Sequence, residues 1–248
     1  MTADSPCPVV YTTEATADGE NDLLVRMFAA NGTPIGSSVQ VNSMTEWDQE
    51  APSSAALKGG GLVIVYEDDS PNDGNVGTTV KGKIISATGQ AVEFQVPQTS
   101  DTEHWDPQVA ALTDGRFVVT WTTLDQYSQF YDENVFARIY NADGTAATDQ
   151  FQVNTTTTWN QKQSSVTALR NGGFAVSFTN DVENEQFDFG DISVQLFTAS
   201  GAKDGAETVI NRTTRAHQSN SIIKELADGR VVVAWEDQHT YGPAEHRQ

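Results

Sequence analysis

The sequence predicts an all-β chain, a β-propeller of about four to five four-stranded antiparallel blades, and three observations carry that prediction. A leucine recurs as Leu57, Leu112, Leu169 and Leu226, at intervals of 55, 57 and 57 residues. Nine residues after each comes an aromatic, Tyr66, Trp121, Phe178 or Trp235. Glycines at 32, 89, 144 and 201 keep the same register, each four residues after Phe28, Ile85, Tyr140 or Phe197. A period of this length holding four short apolar runs is one supersecondary unit. Such a sheet cannot bury both faces until it stacks on its neighbours. A β-solenoid would need shorter coils.

The unit is clearest in residues 107–154. The run VAAL leads into Thr113-Asp114-Gly115-Arg116, and Asp-Gly between two β-prone runs predicts a hairpin with a type I′ turn. RFVVTW is the second strand. An acidic loop follows, then VFARIY with Val135, Ala137 and Ile139 on alternate positions, then Asn141-Ala142-Asp143-Gly144 and a last strand, FQVN. The same hairpin reads Gly59-Gly60, Asn171-Gly172 and Asp228-Gly229 in the other copies, all pairs that tolerate positive φ.

In chain order, residues 2–11 align with 226–235, so the chain opens inside a repeat. Residues 8–13, 22–29 and 38–42 read as second, third and fourth strands. Full units span residues 53–97, 108–154 and 165–211, and residues 221–235 supply a final first and second strand. No helical pattern or linker divides residues 1–248, which read as one domain. The third-strand columns Leu23, Val25, Met27; Val80, Ile84; Val135, Ala137, Ile139; and Ile192, Val194, Leu196 form an apolar face between blades. The opposite column holds Arg26, Lys83, Arg138 and Gln195, expected to pair with acidic neighbours. Closure within one chain is expected, with residues 221–235 joining the N-terminal third and fourth strands. Self-association through the incomplete terminal blade is the alternative.

A net charge of -20 argues against nucleic acid and against anionic membrane surfaces as partners. One cysteine, Cys7, excludes an intramolecular disulfide framework. No apolar run approaches the ~20 residues of a membrane helix, so no membrane insertion is expected. The N-terminus lacks the basic and apolar regions of a signal peptide, which puts any export address outside this chain.

The pattern P-x-V-A-A-L-x-D-G-x-F-V-V-x-W, an acidic loop, V-x-A-R-x-Y-x-A-x-G and F-Q-V-N-T resembles the repeats of very large secreted bacterial proteins of calcium-binding or adhesin-like type. It is also similar to the blades of the Tol-type periplasmic propeller. That likeness implies that VAAL is the innermost strand and FQVN the outermost. The resemblance implies a secreted or cell-surface location and a binding role, with a glycan or a cell-surface protein as partner. The calcium nonapeptide G-G-x-G-x-D of some such proteins is absent.

Two sets of loops share one face of the propeller. Those between second and third strands hold 19 of the 34 acidic residues. Calcium takes six to eight oxygens from carboxylates, amides and carbonyls, often within one flexible loop. Asp18, Glu20 and Asp22; Asp68, Asp69 and Asp73; and Asp181, Asp188 and Asp191 are the candidate ligands, with a solubilising acidic rim as the alternative. The loops from fourth to first strand bring Trp47-Asp48-Gln49, His104-Trp105-Asp106 and Trp159-Asn160-Gln161. Tryptophan beside an amide or carboxylate suits sugars, since the ring covers C–H surface while its polar neighbour bonds hydroxyls. Plugs between adjoining blades are the other reading of these tryptophans.

These features together lead to a non-catalytic extracellular module for adhesion or carbohydrate recognition, with calcium as its expected ion. The alternatives are a propeller glycoside hydrolase or lyase and a purely structural repeat. Arg116 and Arg230 lie at hairpin turns, so the arginine cluster that a sialidase needs is not evident. His104, beside Trp105 and Asp106, marks the one place to look for general acid–base chemistry.

Overall fold

The computed structural model describes residues 7–14, 19–70, 77–99, 102–125, 132–182, 189–212 and 217–238. They form five antiparallel sheets and no helix. The first sheet holds β1 (Cys7–Thr13), β2 (Asp22–Phe28) and β3 (Pro34–Gln40). The second holds β4 (Gln49–Ala56), β5 (Gly61–Asp68), β6 (Thr79–Ser86) and β7 (Ala91–Gln95). β8 (His104–Ala111), β9 (Phe117–Leu124), β10 (Glu133–Tyr140) and β11 (Phe151–Gln152) make the third. The fourth is β12 (Gln161–Ala168), β13 (Phe174–Val182), β14 (Phe189–Phe197) and β15 (Thr208–Val209). A two-stranded sheet, β16 (His217–Glu225) and β17 (Val231–Gln238), ends the described chain.

Each full sheet is a meander, with the first strand at one edge and the fourth at the other. Successive first strands, β4, β8, β12 and β16, pack on one another and so line the common axis. The inner-strand expectation for VAAL is met. The hairpins differ from the expected type I′ turn. In the third blade Gly115 has φ of 99° while Asp114 is not left-handed, and Gly115 N–H donates to Leu112 O at 3.1 Å. That is a type I turn closed by a glycine bulge, held by Asp114 Oδ1, which accepts from Arg116 N at 3.0 Å.

The blades stack through the predicted columns. Val135, Ala137 and Ile139 of β10 are fully buried against Phe174, Val176 and Phe178 of β13. Val80 and Ile84 of β6 meet Phe117, Val119 and Trp121 of β9 in the same way. Gly82 interrupts the β6 column because the Phe94 ring takes that space; a Cβ there would lie 2.3 Å from the ring. Phe94 in turn packs on Phe117 and Tyr140, with ring centroids 5.8 and 5.1 Å away.

Closure within the chain is not seen among the described residues. There, the sheet of β16 and β17 is hydrogen-bonded to no strand of the first sheet. Val9 and Tyr11 on one terminal sheet, and Ile222 and Val232 on the other, are exposed. Trp235 consequently differs from the other aromatics at its repeat position. It is 37% exposed, whereas Trp121 at the same repeat position is 0% exposed. Trp121→Ala is therefore expected to cost about 3–5 kcal/mol of stability, and Trp235→Ala much less than half of that, as read by chemical denaturation.

Candidate functional site

The loop face is organised by a repeated amide relay that begins at the asparagine of FQVN. Asn154 Oδ1 accepts from Val135 N at 2.9 Å, while its Nδ2 donates to Asn134 Oδ1 at 2.7 Å and to Gln161 Oε1 at 3.1 Å. Gln161 Nε2 passes the chain on to Asn180 Oδ1 at 3.1 Å. The relay thus ties the outer strand of one blade to the inner pair of the next. Asn42 and Gln49 repeat it with Asp22 and Asp68, and Asn211 and Gln218 with Asp191 and Asp237. In the remaining copy Pro97 replaces the asparagine and His104 the glutamine. His104 is 1% exposed, with Nδ1 3.0 Å from Thr123 Oγ1 and Nε2 3.1 Å from Thr99 O.

Several expected site residues are therefore occupied internally. Gln49, Gln161 and His104 lie buried in the relay and do not face a ligand; both ring nitrogens of His104 are engaged. Asp22, Asp68 and Asp191, expected around calcium, instead accept from relay amides, and Asp68 also pairs with Lys81. Asp48 and Asn160 cap the start of a third strand, accepting from Asn21 N at 2.8 Å and Glu133 N at 3.1 Å. Trp47 and Trp159 share left-handed backbone, φ 72° and 68°, and Trp47 is 51% exposed. Asp69 donates its backbone N–H to Asp48 O, and a carboxyl oxygen of Glu20 accepts from Trp47 N. Among the described residues no three His, Cys, Asp or Glu side chains are grouped so as to hold a metal ion. Asp18, Asp73 and Asp188 lie outside the described residues.

Every inner strand carries a β-bulge at its loop end, after Glu50, Trp105, Lys162 and Ser219. The bulged residues Ala51, Asp106, Gln163 and Asn220 all have positive φ, between 47° and 54°. A bulge re-aims its side chain, and residues that accept left-handed backbone despite a Cβ store strain. Asn220 N lies 3.4 Å from Gln163 Oε1, so bulge residues of neighbouring blades sit side by side near the axis.

Around Asp106 the bulges gather carboxyls from three consecutive blades. Asp106 N–H donates to Glu67 Oε1 of the preceding blade at 2.7 Å. Lys162 Nζ lies 3.5 Å from Glu133 Oε2 and 3.3 Å from Asp181 Oδ2. Burial lifts the Glu67 carboxyl from the usual 4.5 to about 7, against the lowering effect of the Asp106 hydrogen bond. The charges of Asp106, Glu50 and Asp69 add to the rise. Burial also raises Asp106 and Glu133, and the Lys162 ammonium opposes the shift at both. Half-buried Trp105 precedes Asp106, at the repeat position that Lys162 holds in the next blade.

The structure thus brings Asp106 and Asp181 into one charge cluster, with Trp105 preceding Asp106 on the same strand, and leaves the two loop tryptophans at the fourth-to-first connections. Glu67, Glu133 and Lys162 did not stand out in the sequence. Their signal lies in the aligned repeats: Glu67 stands where two other copies have Thr122 and Thr179, and Asp106 where the first and fourth inner strands have Ala51 and Asn220.

No family model matches this chain, and no curated protein matches it in sequence. Solved structures do share its shape. The endo-arabinase of Bacteroides thetaiotaomicron VPI-5482 matches at TM-score 0.53 and 9% identity, over 94% of this chain and 88% of the other. The α-L-arabinanase of Penicillium chrysogenum, complexed with arabinobiose, gives 0.57 and 13%, covering 94% and 76%. An intramolecular trans-sialidase from Ruminococcus gnavus, complexed with oseltamivir carboxylate, gives 0.59 and 12%, over 88% of this chain and 46% of that one. At such identities the likeness is one of fold, and it confirms the propeller. The expectation of a non-catalytic binding module is set aside, because these similar propellers are named as an endo-arabinase, an arabinanase, a trans-sialidase and a glycoside hydrolase and none as a binding module.

Two outcomes follow from this geometry. His104→Gln should leave stability within about 1 kcal/mol, because glutamine fills the relay elsewhere, while His104→Ala should cost about 1–3 kcal/mol for the polar groups it strands, both read from urea denaturation. The raised carboxyl of Glu67 means that the folded state holds its proton more tightly than the unfolded chain. Its stabilising contribution is complete below pH 4.5 and is lost as pH rises through about 7, so parent melting should fall relative to Glu67→Gln across that window.

Proposed function

We propose that this chain is a propeller glycoside hydrolase whose reaction centre is the carboxyl group set of Glu67, Asp106, Glu133 and Asp181. The observation that carries the reading is the Glu67 carboxyl, raised to about 7 while in contact with the Asp106 backbone. Glycoside cleavage needs one carboxylic acid that keeps its proton near neutrality and a second carboxyl that acts as a base or nucleophile. Glu67 is the acid. Asp106 is the partner, because the Lys162 charge favours its ionised form and does not act on Glu67 in the same way.

The chemistry balances with these two groups and water. The proton on Glu67 passes to the leaving oxygen as the bond from that oxygen to the anomeric carbon breaks. Asp106 takes a proton from the water whose oxygen bonds the same carbon. Trp105 offers a flat apolar face to the ring, and Lys162 holds Glu133 and Asp181 at the margin of the site. The enzymes of similar fold, one of them complexed with arabinobiose, support a glycan as substrate.

Two further parts of the proposal rest on composition and resemblance. The protein works outside the cell, where polymeric glycans are met and where repeats of the bacterial secreted type occur. Calcium is held by carboxylates of the acidic loops between second and third strands other than those engaged in the relay or the reaction centre; these loops hold 19 of the 34 acidic residues.

Glu67→Gln and Asp106→Asn are expected to lower kcat by about 10²–10⁴ with little change in circular dichroism, measured on chromogenic glycosides and oligosaccharides. Hydrolysis should decline on the alkaline side near pH 7 as Glu67 loses its proton; full activity in both variants would overturn the assignment. For the loops, millimolar calcium at a hundred times Kd should stabilise by about 2.7 kcal/mol over a chelator control. No change in melting and no heat of binding would remove calcium from the account.

A further inference from the structure

The cluster that serves as reaction centre is far from neutral. With Glu67 carrying its proton, Asp106, Glu133 and Asp181 remain as carboxylates, and among the described residues the nearby cation is Lys162, which Glu133 and Asp181 already bracket. Glu50 and Asp69 add to the negative field at Glu67. An anionic sugar placed here would meet uncompensated like charge.

Recognition of a sugar carboxylate calls for the planar fork of an arginine, which matches its two oxygens. Among the described residues the arginines serve elsewhere. Arg116 and Arg230 are tied to Asp114 and Asp228 in hairpin turns at the opposite end of the blades, and Arg170 pairs with Glu225 at that end. Arg26 and Arg138 lie on third strands and donate to the carbonyls of Gly36 and Thr148. Arg212 lines a separate cavity with Trp235 and Asp237. Of the lysines, Lys81 pairs with Asp68 and Lys83 with Glu93, while Lys58 and Lys203 donate to the carbonyls of Thr113 and Asn154.

From this we infer the substrate class: the site takes a neutral glycan, laid on Trp105, and rejects glycosides that carry a carboxylate, such as sialic and uronic acids. The inference rests on the hydrolase reading above and narrows it. Neutral sugars present C–H faces and hydroxyls, which an indole ring and ionised or protonated carboxyls satisfy without any cation. Charge, more than shape, then separates this propeller from the sialidase-type propellers that share its fold.

The test compares kcat/KM of the full chain on 4-nitrophenyl α-L-arabinofuranoside and linear arabinan with that on 4-nitrophenyl N-acetylneuraminide and polygalacturonate, at about 50 mM and about 500 mM salt. Turnover of a neutral substrate at least about a hundredfold above the anionic ones, with the gap narrowing at high salt where charge is screened over about 4 Å, supports the inference. Comparable or faster turnover of a carboxylated glycoside overturns it and leaves the hydrolase reading standing. No turnover of any substrate by protein that melts cooperatively overturns both.

Discussion

A blade of this chain carries apolar side chains on both faces, and no amount of hydrogen bonding within its four strands can hide them. The third blade buries Phe117, Val119 and Trp121 against the blade before it and Val118, Ala137 and Ile139 against the blade after it. Stability is therefore shared between neighbours, as in any stacked-repeat protein. Stacking also dictates where the chain can do chemistry. It presses the inner strands together at the axis and brings polar side chains from several blades together at their loop ends.

Two devices occupy that end, and they divide the labour. The Asn–Gln relay satisfies buried amides and carboxylates at the joint between blades, where an unpaired polar group would be costly. Because Gln49, Gln161, Gln218 and His104 are almost wholly buried, the joint is sealed, and the proposed reaction centre lies just beyond it. There the bulges turn Asp106 and its counterparts out of the ladder. In one sector they bring a protonated carboxyl, a partner carboxyl and a cation into reach of one another. Burial raises the Glu67 carboxyl, and among the described residues the arginines are engaged elsewhere.

What could be read from the sequence follows from periodicity. Leu57, Tyr66 and Gly89 recur in register, so the blades, their hairpins and their buried columns are visible without coordinates. His104 stands beside Trp105 and Asp106 in sequence, but its role follows from the repeat position that it shares with Gln49 and Gln161 in other blades. For a different reason, Glu67 and Lys162 do not stand out in the sequence. They sit inside ordinary strand patterns, and only the bulge register, which alternation along one strand does not reveal, brings them to one side. Trp235 shows the same limit at the edge of the fold: its repeat position is that of a core residue, but its blade has only two described strands to cover it.

The central claim is that the stack of blades holds one carboxyl protonated near neutrality at its loop end. Side-chain carboxyl titration by carbon NMR, with Glu67→Gln to assign the signal, tests it without any substrate. The account predicts a midpoint near 7 for Glu67. A midpoint at the usual 4.5 would contradict it, because Glu67 would then be an ordinary solvated carboxylate with no proton to give.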